Sequence, residues 1–160
     1  MPTPDRTTIR AAVDALIAAI RANLVAEPPT TTRPFRAIVT QPTEATARSR
    51  PFMTIALDKA EPIGVTQGDK LFVVTGTLRL VVDVTGDAAH AALLDAIGAV
   101  EDYLDSILDA GVIDGASGFD DRVWSFGYPD ATAGARVAVA EARHSFIVRV
   151  ERAFNRVPAP

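Results

Sequence analysis

The sequence predicts an α+β fold, in which a mainly antiparallel sheet of about four to five strands carries two long helices packed on one face. Three stretches lead to this prediction. Residues 71–84, LFVVTGTLRLVVDV, place a large apolar side chain at every even position except Gly76, which is the alternation of a strand with one buried face. Residues 9–24 and 90–108 instead repeat apolar residues at steps of three and four, as amphipathic helices do.

The first helix is predicted to begin near the N-terminus and to end before Pro28 and Pro29. Asp5, Thr7 and Thr8 are the candidate N-caps, because their side-chain oxygens can accept hydrogen bonds from the first free backbone N–H groups. Proline cannot continue a helix, so the pair of prolines sets its limit. The apolar stripe consists of Ile9, Val13, Leu16, Ile17, Ile20 and Leu24.

The second helix is predicted between a cap at Asp87 and a stop at Gly111. Its apolar stripe consists of Leu93, Ile97, Val100, Leu104, Ile107 and Leu108. An acidic stripe on the opposite side consists of Asp95, Asp102, Asp105 and Asp109. Charged helix faces are usually solvated, and the alternative is an acidic surface that faces a neighbouring subunit or a channel.

The remaining strands are predicted at residues 35–39, 52–57, about 123–126 and about 136–154. In the last of these, Val137 and Val139 are apolar at odd positions, whereas the later apolar residues Phe146 and Val148 are at even ones. This change of phase predicts a bulge or bend near residues 140–144. Residues 40–51, 58–70 and 111–122 are predicted loops, and loops of this length are uncommon unless they are disordered or contact something.

Length and composition limit the function classes. We predict a single domain over residues 1–160, with loose ends at residues 1–4 and 155–160. The opening residues do not resemble a secretory signal, and no apolar run reaches the roughly twenty residues that cross a bilayer, so we expect no membrane partner and synthesis in the cytoplasm. The chain has no cysteine, which excludes disulfides and thiolate metal sites. A net charge of −4 argues against a broad phosphate-binding surface.

No catalytic, cofactor-binding or metal-binding motif is present, so we predict a protein that is not an enzyme and has no cofactor. Asp120 and Asp121 lie in a glycine- and aspartate-rich loop that lacks the spacing of a calcium loop. His90 and His144 cannot complete a zinc set with the residues available, and they are expected to be ordinary surface or bend residues. No serine lies in a nucleophile elbow, and no glycine-rich phosphate loop is found.

Charged residues supply the candidate interface. Arg143 and Arg149 share the odd side of the last predicted strand. They either protect an exposed strand from unwanted pairing or contact acidic groups, such as the helix stripe, in another subunit. The full candidate set for subunit or partner contacts is Arg143, Arg149, Arg152, Asp95, Asp102, Asp105, Arg48, Arg50, Asp69, Lys70, Asp120 and Asp121.

Five segments in this order resemble the tail terminator proteins of long-tailed bacteriophages, a group that includes related tail-completion and neck proteins. They are TIRAAVDALIAAIRANL, RPFMTIAL, TLRLVVDV, HAALLDAIGAVEDYLDSIL and RVAVAEARHSFIVRVER. The resemblance implies a hexameric ring of this chain that docks on the major tail tube protein, ends tube polymerisation and presents a surface to the head connector. It also implies a place in the virion neck after assembly in the host cytoplasm, with DNA only passing through the lumen.

Two alternatives stay open beside the terminator hypothesis. Another neck component of the same fold, either a tail-completion or a head–tail connector adaptor protein, has the same sequence pattern. A small-ligand-binding α+β domain would need polar groups on the even side of the central strand, where the residues are apolar. A nucleic-acid-binding module is disfavoured by the acidic charge balance.

Overall fold

The computed structural model describes residues 8–40, 50–65, 69–83, 88–110, 122–127 and 137–151, which form an α+β fold. Its elements are α1 (Ile9–Leu24), β1 (Ala37–Val39), β2 (Phe52–Val65), β3 (Asp69–Asp83), α2 (Ala88–Ala110), β4 (Ser125–Gly127) and β5 (Val137–Glu151). The strands form one sheet in the order β1-β2-β3-β5-β4, in which β1 pairs with β2 in parallel and the other pairs are antiparallel. The predicted class and the mainly antiparallel sheet are confirmed.

The start of α1 follows the capping prediction. Thr8 is the N-cap, and its Oγ1 accepts a hydrogen bond from the backbone N–H of Ala11 at 3.1 Å. The helix ends at Leu24, and Val25 is already extended, three residues ahead of Pro28. Arg21 joins the helix to the neighbouring strand, because its Nε donates to the carbonyl of Ile38 at 2.8 Å. The other two candidate caps lie outside the described residues.

The core joins the apolar stripes of the helices to the even positions of the central strands. β3 contributes Val74, Leu78, Leu80 and Val82, and β5 contributes Ala138, Ala140, Phe146 and Val148. α1 contributes Leu16, Ile17, Ile20 and Leu24, and α2 contributes Leu93, Ala96, Val100 and Leu104. Burial of this apolar surface is the main force that holds the elements together. Packing of both helices on a single face stays a prediction, as do the cap at Asp87 and the stop at Gly111, which lie outside the described residues.

The predicted bulge near residues 140–144 is wrong. The pairing of β3 with β5 runs without a shift from Asp69 opposite Glu151 to Asp83 opposite Val137. The error arose because residues 138, 140 and 142 are alanines, which are small but buried. The even-numbered residues therefore face the core in the first half of the strand as well as in the second. Val139 lies on the other side of the sheet, opposite Val81.

The predicted loop at residues 58–70 is also wrong. β2 continues to Val65 and β3 begins at Asp69, so most of this stretch is a hairpin. The register of β2 against β3 shifts between Leu57 and Lys59 and again between Pro62 and Gly64. Such bulges disrupt the alternation from which a strand is predicted. We call residues 57–65 and 69–76 the hairpin arm; within it, no β2 side chain is buried.

The two short strands lie at the two ends of the sheet order, close to where the sequence predicts them. β1 occupies the last three residues of the predicted segment 35–39, and β4 begins two residues later than predicted. The predicted loops at 40–51 and 111–122 lie largely outside the described residues, as do the expected loose ends. A backbone hydrogen bond from Arg36 to the carbonyl of Pro51, 2.8 Å long, fixes the chain where β2 begins.

Gly76 lies where the hairpin arm leaves the body of the sheet, and we expect Gly76→Ala to destabilise the protein. A Cβ atom at this position would lie 2.7 Å from the carbonyl oxygen of Ala56 and 3.1 Å from the side chain of Leu57. Because the nearest atom belongs to the backbone, the strand itself would have to move, at a cost of about 1–3 kcal/mol. The measurement is the free energy of unfolding from denaturant titration.

Gly64→Ala is the matched control for this substitution. Gly64 belongs to the same hairpin, but a Cβ atom there would have nothing within 4 Å. Its replacement should therefore leave the free energy of unfolding almost unchanged. Equal losses for the two variants would show that loss of glycine itself, rather than the contact with Ala56, is what matters.

Candidate functional site

The most connected polar cluster in the described residues surrounds Arg122. Its Nε donates to Glu101 Oε1 at 2.6 Å, and its Nη2 donates to Glu101 Oε2 at 2.5 Å. The guanidinium therefore binds the carboxylate through two parallel hydrogen bonds. Nη1 lies 3.2 Å from Nδ1 of His144. α2 supplies the carboxylate, β5 supplies the imidazole, and the segment before β4 supplies the guanidinium. The cluster therefore joins three parts of the chain.

The electrostatics of the cluster favour an ion pair between Arg122 and Glu101 at neutral pH. The Arg122 side chain is only 9% exposed and that of Glu101 is 30% exposed. Hydrogen bonds from Arg122 lower the pKa of Glu101 despite the opposing effect of burial, and the indole N–H of Trp124 adds a bond of 2.8 Å to the same carboxylate. The carboxylate in turn raises the pKa of Arg122. Paired charges with this many donors hold a structure in one arrangement more readily than they perform acid–base chemistry.

His144 is fully buried, so the prediction of an ordinary surface or bend residue is wrong for it. Its ring meets Phe146 edge-on, with centroids 4.4 Å apart. Arginine has only donors, so the contact with Arg122 requires Nδ1 to accept and places the ring proton on Nε2. The alternation of β5 could have predicted this burial, because residue 144 is even-numbered and so lies on the same side of the strand as the inward-facing Phe146 and Val148. His90, by contrast, is exposed as predicted.

The predicted acidic stripe is on the surface of α2. Asp95, Asp102 and Asp105 are all exposed, and the side chain of Asp109 lies outside the described ones. Asp105 lies 3.4 Å from Nη2 of Arg122 and so extends the cluster outward. The solvated reading is consistent with this exposure, and the interface reading stays a prediction.

The predicted basic strand is on β5, where Arg143 and Arg149 are exposed. Nη2 of Arg143 lies 3.1 Å from Oδ2 of Asp58, an ion pair that spans the intervening strand β3. Arg149 lies opposite Leu71 in the register. Within one chain, Arg143 therefore pairs with the hairpin arm, and Asp105 pairs with Arg122. The basic side chain on β5 and the acidic side chain on α2 thus have different partners.

The other candidate residues are scattered. Lys70 is the second residue of β3, and its Nζ lies 5.4 Å from the centre of the Phe72 ring, in a cation–π contact. Asp69 is the first residue of β3, and Arg50 is half-buried just before β2. The remaining four candidates lie outside the described residues: Arg48, Arg152, Asp120 and Asp121.

At the centre of the sheet, the side that carries the odd-numbered residues of β3 and β5 has small polar side chains. Thr75 on β3 and Ser145 on β5 are both buried and share a hydroxyl–hydroxyl hydrogen bond of 3.0 Å. Longer charged pairs surround them, such as Arg79 with Glu141 at 3.3 Å and Arg143 with Asp58. Such cross-strand pairs stabilise the sheet modestly and leave an accessible charged surface.

Two of the grooves along the described residues are open, and neither of these holds an array of catalytic groups. One lies between α1 and β1 and carries Arg21, Arg33 and Arg36. The other is lined by prolines, threonines and Asp95. No group of three or more histidine, aspartate or glutamate side chains suitable for a metal ion occurs in the described ranges. Neither described helix has the length and apolar content needed to cross a membrane.

A scan against protein-family models and a search of curated proteins found no match to this chain. The features of the chain that bear on function are the order of its segments, its exposed charged and apolar side chains, and the Arg122 cluster, which holds the β4 segment against α2 and β5.

Proposed function

We propose that this chain is a structural phage tail assembly protein that forms a hexameric ring, caps the tail tube and provides the surface for joining to the head connector. The order of the helix, strand and helix segments supports the proposal through its resemblance to tail terminator proteins. The observation that carries it in the structure is the hairpin arm. No chemistry is required of such a protein, because its work is done by buried area and paired charges.

The hairpin arm has the features of a surface that other chains contact. It extends the sheet beyond the region where β1 pairs with β2, which is limited to residues 52–54. Three large apolar side chains are exposed along the arm: Leu57, Ile63 and Val65. In the neighbouring core, by contrast, almost all large apolar side chains are buried. Exposed apolar side chains that stand together are typical of surfaces that a partner covers.

The charges also suit a ring around a DNA channel. An acidic helix surface in the lumen would repel the phosphate backbone, so DNA would slide through without binding. Arg143, Arg149 and Lys70 stay basic candidates for contacts between subunits, and Arg143 also pairs with Asp58 within the chain. The proposed location is the neck of a phage or phage-like particle, after assembly in the host cytoplasm.

Electron microscopy of tail tubes tests the function. Tubes from the protein's own source, polymerised with the purified chain, should show capped ends and a narrower and shorter length distribution. Ile63→Asp should abolish capping while the chain stays folded, because this side chain is exposed in the hairpin arm. Arg10→Ala, at an exposed position on α1, is the matched surface control and should cap normally.

The images also separate the terminator from its nearest alternative. Tubes that grow unaffected and carry no additional density would contradict capping. If the chain then bound to the head connector, it would be another neck component of the same fold, either a tail-completion or a connector adaptor protein. Failure to bind either partner would contradict both.

A further inference from the structure

We propose that the groove between α1 and β1 binds a compact phosphate ligand, such as a diphosphate or a phosphate ester. We call it the arginine groove, because three arginines line it: Arg21, Arg33 and Arg36. The tail assembly proposal assigns this groove no role, and the inference does not depend on ring formation. It is carried by the way the chain holds the three side chains, by the excess of positive charge and by the size of the groove.

The backbone joins the two sides of the arginine groove. The N–H of Phe35 donates to the carbonyl of Leu24, the last residue of α1, at 3.2 Å, and the N–H of Ala26 donates to the carbonyl of Phe35 at 3.0 Å. The end of α1 therefore lies beside the residues that lead into β1. Arg21 is in the last turn of α1, and the other two arginines lie within two residues of Phe35 in the chain. The fold thus brings all three arginines to one groove before any ligand binds.

Two of the arginines are anchored in ways that leave donors for a ligand. Arg21 uses its Nε for the carbonyl of Ile38, at 2.8 Å, and its guanidinium makes no other hydrogen bond among the described residues. The backbone of Arg33 is held by Thr30, whose Oγ1 accepts from the N–H of Arg33 at 3.0 Å. The side chain of Arg33 has no hydrogen bond or ion pair with any residue that the structure describes. Both guanidinium groups therefore keep N–H donors for a ligand.

Positive charge exceeds negative charge at the arginine groove. The described residues that line it include no acidic side chain. Beside it, Oε1 of Glu27 lies 3.8 Å from Nε of Arg36, which is longer than a hydrogen bond, and both side chains are largely exposed. The C-terminal end of α1 adds the equivalent of roughly half a negative charge. Three guanidinium charges outweigh these two together, so the groove attracts anions.

The arrangement of the arginines favours phosphate over carboxylate. A guanidinium group can bind either anion through two parallel hydrogen bonds. A carboxylate offers two oxygens in one plane, however, whereas the oxygens of a phosphate surround the phosphorus atom tetrahedrally and can accept from donors on several sides. Arginines that come from a helix, a turn and the start of a strand therefore suit a phosphate better.

The size of the groove and the charge of the whole chain indicate a compact ligand. The groove has a volume of about 640 Å³, which is within the range of small-molecule sites. Small side chains beside the arginines leave room for the rest of a phosphate ester, and they are those of Ala18, Ala22 and Ala37. A nucleic acid would instead need basic side chains along many phosphates. The net charge of −4 and the absence of lysine and arginine from α2 disfavour such a surface.

Calorimetric titration with sodium pyrophosphate at low ionic strength tests the site. The original chain should bind it, and Arg33→Gln should weaken the binding by about tenfold. Arg33 is the residue to change because its side chain has no described contact whose loss would disturb the fold. Arg33→Gln combined with Arg36→Gln should remove detectable binding. Arg10→Gln removes an equal charge from an exposed position on α1, and it should bind within about twofold of the original chain.

Three outcomes would overturn the proposal. Absence of pyrophosphate binding to the original chain would show that the groove is only a solvated basic surface. Equal losses in Arg33→Gln and Arg10→Gln would mean that the anion responds to total charge and not to this groove. Citrate or a single-stranded oligonucleotide that bound more tightly than pyrophosphate, with the same dependence on Arg33, would assign the groove to another class of anion. All these titrations use the isolated chain, so their results are independent of whether it caps tail tubes.

Discussion

Leu104→Asp is expected to prevent the chain from folding, whereas Leu94→Asp on the same helix should leave it folded. Leu104 is 2% exposed and belongs to the core, while Leu94 is 47% exposed. The buried substitution loses apolar packing and also places a carboxylate among the apolar side chains of the core, at a combined cost of about 5 kcal/mol or more. Since small domains have a total stability of about 5–15 kcal/mol, this loss is enough to unfold many of them.

Circular dichroism and thermal unfolding measure this difference. Loss of the cooperative transition in Leu104→Asp, with a normal transition in Leu94→Asp, is the expected pattern. A stable Leu104→Asp protein would mean that the helix presents a different side to the sheet. Unfolding of both variants would instead mean that α2 tolerates no acidic substitution at all, and that burial does not explain the result.

Much of the fold could be predicted because alternation and helical spacing reflect burial directly. The central strand and the second helix each have one apolar side, and the structure buries Leu78 and Leu80 of the one and Val100 and Leu104 of the other. The bulge in β5 was predicted wrongly because a small residue gives little indication that it faces the core. Ala140 is inward, yet an alanine is too small to indicate a buried phase.

The hairpin arm could not be predicted from alternation because two bulges change which side chains face which side. Pro62 and the charged residues around it are typical of loops, but they also occur in exposed edge strands. The arm forms because these residues pair with β3, the next strand in the chain, from Val65 opposite Lys70 onward. Pairing between neighbouring strands can therefore override local signals of this kind.

The Arg122 cluster was missed for a related reason. Glu101 lies on the helix between Asp95 and Asp105, and nothing local distinguishes it from those exposed residues. Arg122 ends a glycine- and aspartate-rich stretch that reads as a loop. Only the fold brings them together with His144, which is 22 residues further along the chain than Arg122. Charged side chains that meet across a fold carry no periodic signal.

Glu101→Gln is expected to destabilise the protein at neutral pH, by about 2 kcal/mol, because it removes the charge that Arg122 binds. Glutamine keeps the size of the side chain and an oxygen for the indole N–H of Trp124, so the change isolates the charge. The folded chain lowers the pKa of Glu101 below its ordinary value of 4.5. The ion pair therefore contributes stability above that pH, and the contribution is lost as the pH falls through the lowered pKa.

The stability gap between the original chain and Glu101→Gln should accordingly be widest near pH 7 and should narrow as the pH falls below about 4.5. Denaturant titration at a series of pH values measures it. Asp102→Asn is the matched control, because Asp102 is the next residue on the helix and is exposed. Its effect should stay within about 0.5 kcal/mol. A gap that is independent of pH would show that the loss comes from packing. In that case the Glu101 carboxylate would not be what holds Arg122 and the β4 segment against α2.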